Sequence, residues 1–247
     1  MRPPIPNYTQ NMTAINLNNL EGIPKEFLEE LKQSDSLFKE NRFLDNLLYN
    51  PSISDLMIRI NEFCMTKQII GFHYTRAIPE EITNEGLTCR TGEEIRRNFI
   101  SKYGYLFSED EKTKIIRVWN NHFDVEQQRS RDNHLFFNFT TCALADSGAE
   151  PLLANFGGEQ VYMPIQDLKG IGEKIKNIGK PLILKCKLNP NNIETFYEYP
   201  WGRIAVSTYH CSLNSEALQN DQDGFQNVSV KPEDIELIEY EEREHYR

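Results

Sequence analysis

The chain has little of what would make it a disulfide scaffold, a zinc module or a membrane protein. Its five cysteines (Cys64, Cys89, Cys142, Cys186 and Cys211) are odd in number and scattered, with no C-x-x-C pair and no histidine at zinc-ligand spacing. That usage is expected of reduced thiols in a cytoplasm-like compartment and of a chain that binds no metal. No segment approaches the roughly 18 apolar residues of a membrane span, and the opening MRPPIPNYTQNMTAINLNN lacks the apolar stretch of a secretory signal. The expectation is a soluble cytoplasmic protein with no membrane partner, although a leaderless secreted effector would carry the same signature.

Positive charge is also scarce: 27 Lys and Arg stand against 37 Asp and Glu, a net charge of −10. This excludes a grip on nucleic acid or anionic lipid by the whole surface and restricts any such contact to a local patch. The acids collect at the end, where residues 233 to 244 hold seven acids against one arginine, while residues 86 to 131 hold nine Lys/Arg against seven acids.

What is present reads as one arm, one helical region and one larger domain in 247 residues. Residues 1 to 22 are polar and rich in Asn and Pro, and read as an extended arm. Residues 23 to 66 show apolar positions near a 3.6-residue period, interrupted around Ser34 to Ser36, which predicts two or three helices, one of them capped by Ser52 or Ser54. Residues 67 to 247 then alternate. Strands are predicted at 67–74, 134–140, 159–163, 181–188, 203–209 and 234–240, from their β-branched and aromatic content. Helices are predicted from Pro79 to Glu85, with Gly86 closing the turn, across 92–130, and within 165–179. The order fits an α+β fold, with helices flanking a mixed or antiparallel sheet.

Three segments could carry chemistry. The stretch IIGFHYTRAIPEEITNEGL delivers His73, Tyr74, Thr75 and Arg76 at the end of a strand. A neutral imidazole there can exchange a hydrogen bond with a sugar hydroxyl, and strand-end backbone can bind an amide in both directions. A histidine satisfied within the core is the plainer account of His73 taken alone. The stretch HLFFNFTT offers Phe137, Phe139 and Thr140, of which strand alternation lets only one face reach a ligand. In NFGGEQVYMPI two glycines precede Glu159, and a carboxylate at the edge of an apolar strand is costly unless paired or functional. A strand-end surface carboxylate is the competing account.

In this order the three segments resemble the ADP-ribosyltransferase superfamily, in particular its DNA-targeting toxin branch, and also a bacterial group that pairs HYTR, a following Gly-Leu and a GGE segment. The resemblance covers roughly residues 67 to 188. It implies an ADP-ribosyltransferase-like split sheet and an enzyme that cleaves NAD at the nicotinamide-ribose bond and transfers ADP-ribose to a macromolecular acceptor, nucleic acid or protein. Glu159 would stabilise the oxocarbenium-like state, with His73 and Tyr74 holding ribose and nicotinamide and Thr75 beside them. Phe137 or Phe139, with Thr140, would pin the nicotinamide ring, and Arg76 or Arg90 would contact phosphate. Such a protein would be a bacterial toxin or defence effector, with an antitoxin or immunity partner. The chain departs from the family where Gly157 precedes Glu159 by two, a place that holds Glu or Gln in enzymes acting on arginine. A protein-arginine target is therefore disfavoured, and bases, other side chains or water stay open.

Two further readings remain. His73 and His134 could serve as acid and base in RNA cleavage or 2′-phosphate processing. The chain could also be a binding module that keeps the fold without the reaction. Cys142 has no orienting pattern that would support a thiol protease. Arg96 and Arg97 read as a solvated helix face beside Glu93 and Glu94.

Overall fold

The computed structural model describes residues 14–219 and 223–241. In chain order the elements are α1 (Lys25–Lys32), α2 (Asp35–Glu40), α3 (Leu44–Leu48), α4 (Pro51–Met65), β1 (Ile69–Ala77), α5 (Pro79–Glu85), α6 (Gly92–Tyr103), α7 (Glu109–His122) and α8 (Val125–Arg131). They continue with β2 (Leu135–Asn138), α9 (Glu150–Ala154), α10 (Glu159–Tyr162), α11 (Ile171–Lys176), β3 (Lys180–Leu188), β4 (Glu194–Thr195), α12 (Pro200–Leu213), β5 (Asp223–Gln226) and β6 (Ile235–Glu239). The fold is α+β, with twelve α-helices and a six-stranded antiparallel sheet among the described residues.

Two compact units divide the chain. The first takes residues up to Ile70 together with 189–191 and 199–220, so α12 joins the N-terminal helices. Of the segment read as an extended arm, residues 1–13 lie outside the described residues. Residues 14–22 form a packed turn: Ile15 pairs with Ile69, its amide donates to Gln68 O at 2.8 Å, and Ile15 and Leu17 are buried. Four helices follow rather than two or three. The cap of α4 is Asn50, whose side chain accepts from Ser52 N at 3.0 Å, with Pro51 opening the first turn.

Residues 203–209, expected as a strand, lie inside α12. The helix is buried on most of its surface through Trp201, Ile204, Ala205, Val206, Ser207 and His210, which erases the polar face by which a helix is recognised in sequence. It starts at Pro200, and Asn61 on α4 accepts from the amides of Trp201 and Gly202 at 3.1 and 3.3 Å, satisfying two donors of its first turn. The backbones of α4 and α12 touch at Gly202, where a Cβ would sit 2.0 Å from the Met57 carbonyl oxygen.

The second unit holds the sheet, in the order β4-β5-β2-β1-β3-β6. Phe72 pairs with Asn138 across β1 and β2, Phe137 with Gly224 across β2 and β5, and Leu184 with Leu237 across β3 and β6. The two-residue β4 and the DGFQ of β5 had no strand signature. Helices α6, α7 and α11 and the 156–165 segment enclose a core of Phe99, Ile115, Trp119, Val161, Ile165 and Ile175, where the Trp119 indole donates to Val161 O at 2.9 Å. Capping boxes at Thr91/Glu94 and Ser108/Glu111 start α6 and α7.

All five cysteines are free thiols. Burial pushes those of Cys64 and Cys186 up to about 12.

Candidate functional site

His73 lies in the middle of β1, its ring against Phe137 at a centroid distance of 5.8 Å. Its Nδ1 is 2.9 Å from the Phe136 carbonyl oxygen. A carbonyl only accepts, so Nδ1 carries the proton. Burial holds the pKa of His73 below its usual value, against the opposing pull of the Phe136 hydrogen bond, so the ring is neutral and Nε2 is an acceptor. The residue as a whole is partly buried.

Alternation puts Tyr74 on the other face, where it is 3% exposed and its hydroxyl donates to Thr140 O at 3.4 Å. Thr75 returns to the face of His73 and is partly buried. Phe139 and Thr140 are buried in the core, while Phe137, equally buried, is the aromatic ring in contact with His73. The structure thus joins His73 to Phe137 and Tyr74 to Thr140, as two pairs on opposite faces.

Glu159 is not on a strand. Gly157 and Gly158 both have positive φ, 89° and 69°, and turn the chain into α10, whose first residue is Glu159. The premise of a carboxylate on an apolar strand edge is corrected accordingly: Val161 and Tyr162 are apolar because this helical turn packs into the core. The turn lies at the end of β1, where Phe156 bridges to Arg76 and Gly157 N donates to Arg76 O at 3.4 Å.

The side chain of Glu159 is 42% exposed, and its Oε2 accepts from Arg131 Nε at 3.1 Å. Arg131 is held in turn by Gln127 and by Ser130, whose hydroxyl is 3.2 Å from Nη1. Burial, reinforced by the Glu159 charge, pushes the Tyr162 hydroxyl up to about 12. Arg131 is a participant that sequence reading missed, because a partner 28 residues away leaves no local signal.

The two arginines expected at phosphate have other partners. Arg76 donates from Nε to Ile178 O at 2.9 Å and from Nη1 to Leu153 O at 3.4 Å, which ties β1 to the segments around it. Arg90 pairs with Glu85 at 3.0 Å on the surface. Arg97 does form the expected helix-face pair with Glu93. Arg96 does not: it stacks over the Phe123 ring at 4.5 Å and donates to Gln160 Oε1 at 2.5 Å.

His134 stands immediately before β2. Its ring lies 4.4 Å from that of Phe225 and 6.1 Å from that of Phe136, while His73 contacts Phe137. The two imidazoles thus contact different aromatic rings, and these contacts lend no support to an acid-base pair for RNA cleavage.

Compared with protein-family models, curated proteins and solved structures, the chain matches none.

Proposed function

We propose that this protein is an NAD-consuming enzyme with an ADP-ribosyltransferase-like core, a bacterial toxin or defence effector that releases nicotinamide and transfers ADP-ribose to a macromolecular acceptor. The observation that carries the reading is His73: a strand-borne imidazole, kept neutral by burial, with Nδ1 committed to the Phe136 carbonyl and Nε2 left to accept from a ribose hydroxyl.

Each remaining role has a stated chemistry. Phe137, buried against the His73 ring, holds the imidazole in place. Lengthening of the bond to nicotinamide builds positive charge on the ribose, and Glu159 is the carboxylate assigned to stabilise it through the 2′-hydroxyl. Nicotinamide leaves from a cationic ring, so no general acid is required. Arg131 fixes one oxygen of Glu159, leaving Oε1 to face the sugar. Gly157 occupies the place where arginine-modifying enzymes carry Glu or Gln, which favours a nucleic-acid base, another side chain or water as acceptor.

The test is incubation of the protein with labelled NAD, alone and with cell lysate. Nicotinamide release is expected in both, with label entering nucleic acid or protein in the second. Intact NAD under both conditions contradicts the reading.

A further inference from the structure

Residues 131–132 and 159–160 pair with each other and with the first turns of α6. Arg131 binds Glu159, Asp132 accepts from Gly92 N at 2.8 Å, and Arg96 binds Gln160. Gly92 is required here: a Cβ would lie 2.2 Å from Gln160 Oε1 and 2.8 Å from Arg96 Nη1, so both side chains press against the start of this twelve-residue helix. Gln160 is 6% exposed and its Nε2 has no hydrogen-bond partner, which is unfavourable for a buried donor.

Arg96 is the second unusual group. Its guanidinium is partly buried over Phe123, and burial holds its pKa below the usual value against the pull of Asp132 and Glu93. Among the described residues it forms no ion pair, its hydrogen bond going instead to a neutral amide. A partly buried guanidinium beside an unmatched amide donor, next to a helix N-terminus, sets two side-chain donor groups around one amide oxygen. The negative charges nearby are already engaged: Asp132 accepts from Gly92 N and Glu93 pairs with Arg97.

We infer that Arg96 and Gln160 form a binding site for a phosphate oxyanion. An oxyanion reaching the exposed side of the guanidinium takes over as its acceptor. That frees the Gln160 amide to turn over, so that its NH2 and the guanidinium both donate to the same group. The phosphate could be free or part of the pyrophosphate of a dinucleotide. The inference rests on these contacts and not on NAD cleavage, so the two fail separately.

The test is calorimetric titration of the full chain with inorganic phosphate, pyrophosphate and ADP-ribose, together with the Gln160 side-chain amide signals by NMR. At least one anion is expected to bind and to shift those signals. Arg96→Met and Gln160→Leu should each weaken binding by about tenfold or more, the loss of a charge-assisted or buried hydrogen bond. Arg97→Ala should bind as the natural chain does. Arg96→Lys keeps the charge, and should also bind more weakly because the planar fork is gone; it decides the matter if Arg96→Met does not fold. Tighter binding of ADP-ribose identifies a dinucleotide as the occupant, and binding of phosphate alone identifies a free anion. No binding by any of the three, binding unchanged in Arg96→Lys, or a loss equally large in Arg97→Ala overturns the inference.

Discussion

Arg131 donates from Nε to Glu159 Oε2 at 3.1 Å, joining the last residue of α8 to the first residue of α10. The contact replaces the one that sequence reasoning supplied for this carboxylate, a place on an apolar strand. It also gives the acid a fixed orientation while leaving it 42% exposed.

Arg131→Met should therefore act on rate more than on stability. A half-exposed pair of this kind contributes no more than about 1 kcal/mol to folding, so the melting temperature should barely move. Turnover of NAD should fall several-fold with KM little changed, because the carboxylate loses its orientation. A large drop in melting temperature with unchanged turnover would make the pair a structural brace.

His73 predicts a pH dependence of stability. Its folded-state pKa is lowered chiefly by burial, so below the ordinary histidine value of about 6.5 the unfolded chain binds a proton that the folded chain refuses. Its contribution is full above that pH and is lost as the pH falls toward the lowered folded value. His73→Asn can still donate to the Phe136 carbonyl, and should show a smaller loss of unfolding free energy between pH 7.5 and 5.5. Urea titrations at the two pH values measure it, and equal losses in both proteins would remove His73 as the cause.

The thiols should sort by burial. Cys64 and Cys186, raised to about 12, should resist alkylation in the folded protein, while the partly exposed Cys89, Cys142 and Cys211 react first. Mass spectrometry after brief alkylation reads the order directly. Early labelling of Cys186 would contradict the packing of β3.

Gly202→Ala should destabilise the first unit, since its methyl would lie 2.0 Å from the Met57 carbonyl and α4 and α12 would have to separate. The expected cost is about 1–3 kcal/mol, read from denaturant unfolding. An unchanged midpoint would contradict this close approach of the two helices.

Much of the fold was legible because local pattern and final environment agree. The strand predictions at 67–74, 134–140, 181–188 and 234–240 each fall on an observed strand, and Pro79 to Glu85 with Gly86 closes as expected. The two strands predicted where helices form share one cause. At 159–163 and 203–209 the β-branched and aromatic residues belong to helical turns buried on most sides, where packing overrides propensity and no polar face survives to mark the period. In the candidate site, alternation left Phe137 and Phe139 equivalent, and only the ring contact with His73 distinguishes Phe137. The partners of Glu159 and Arg96 lie 28 and 64 residues away and are set only by the packing of α6, α8 and α10.

The central claim is that Glu159 stabilises the charge formed when NAD is cleaved, and Glu159→Gln tests it most directly. The amide keeps the size of the side chain and can still bond to a neighbour, so the fold should persist by circular dichroism. Nicotinamide release, measured beside the natural chain, should fall by about a hundredfold or more, as when one stabilising group is removed from a transition state. Equal release by the variant and the natural chain would contradict the account.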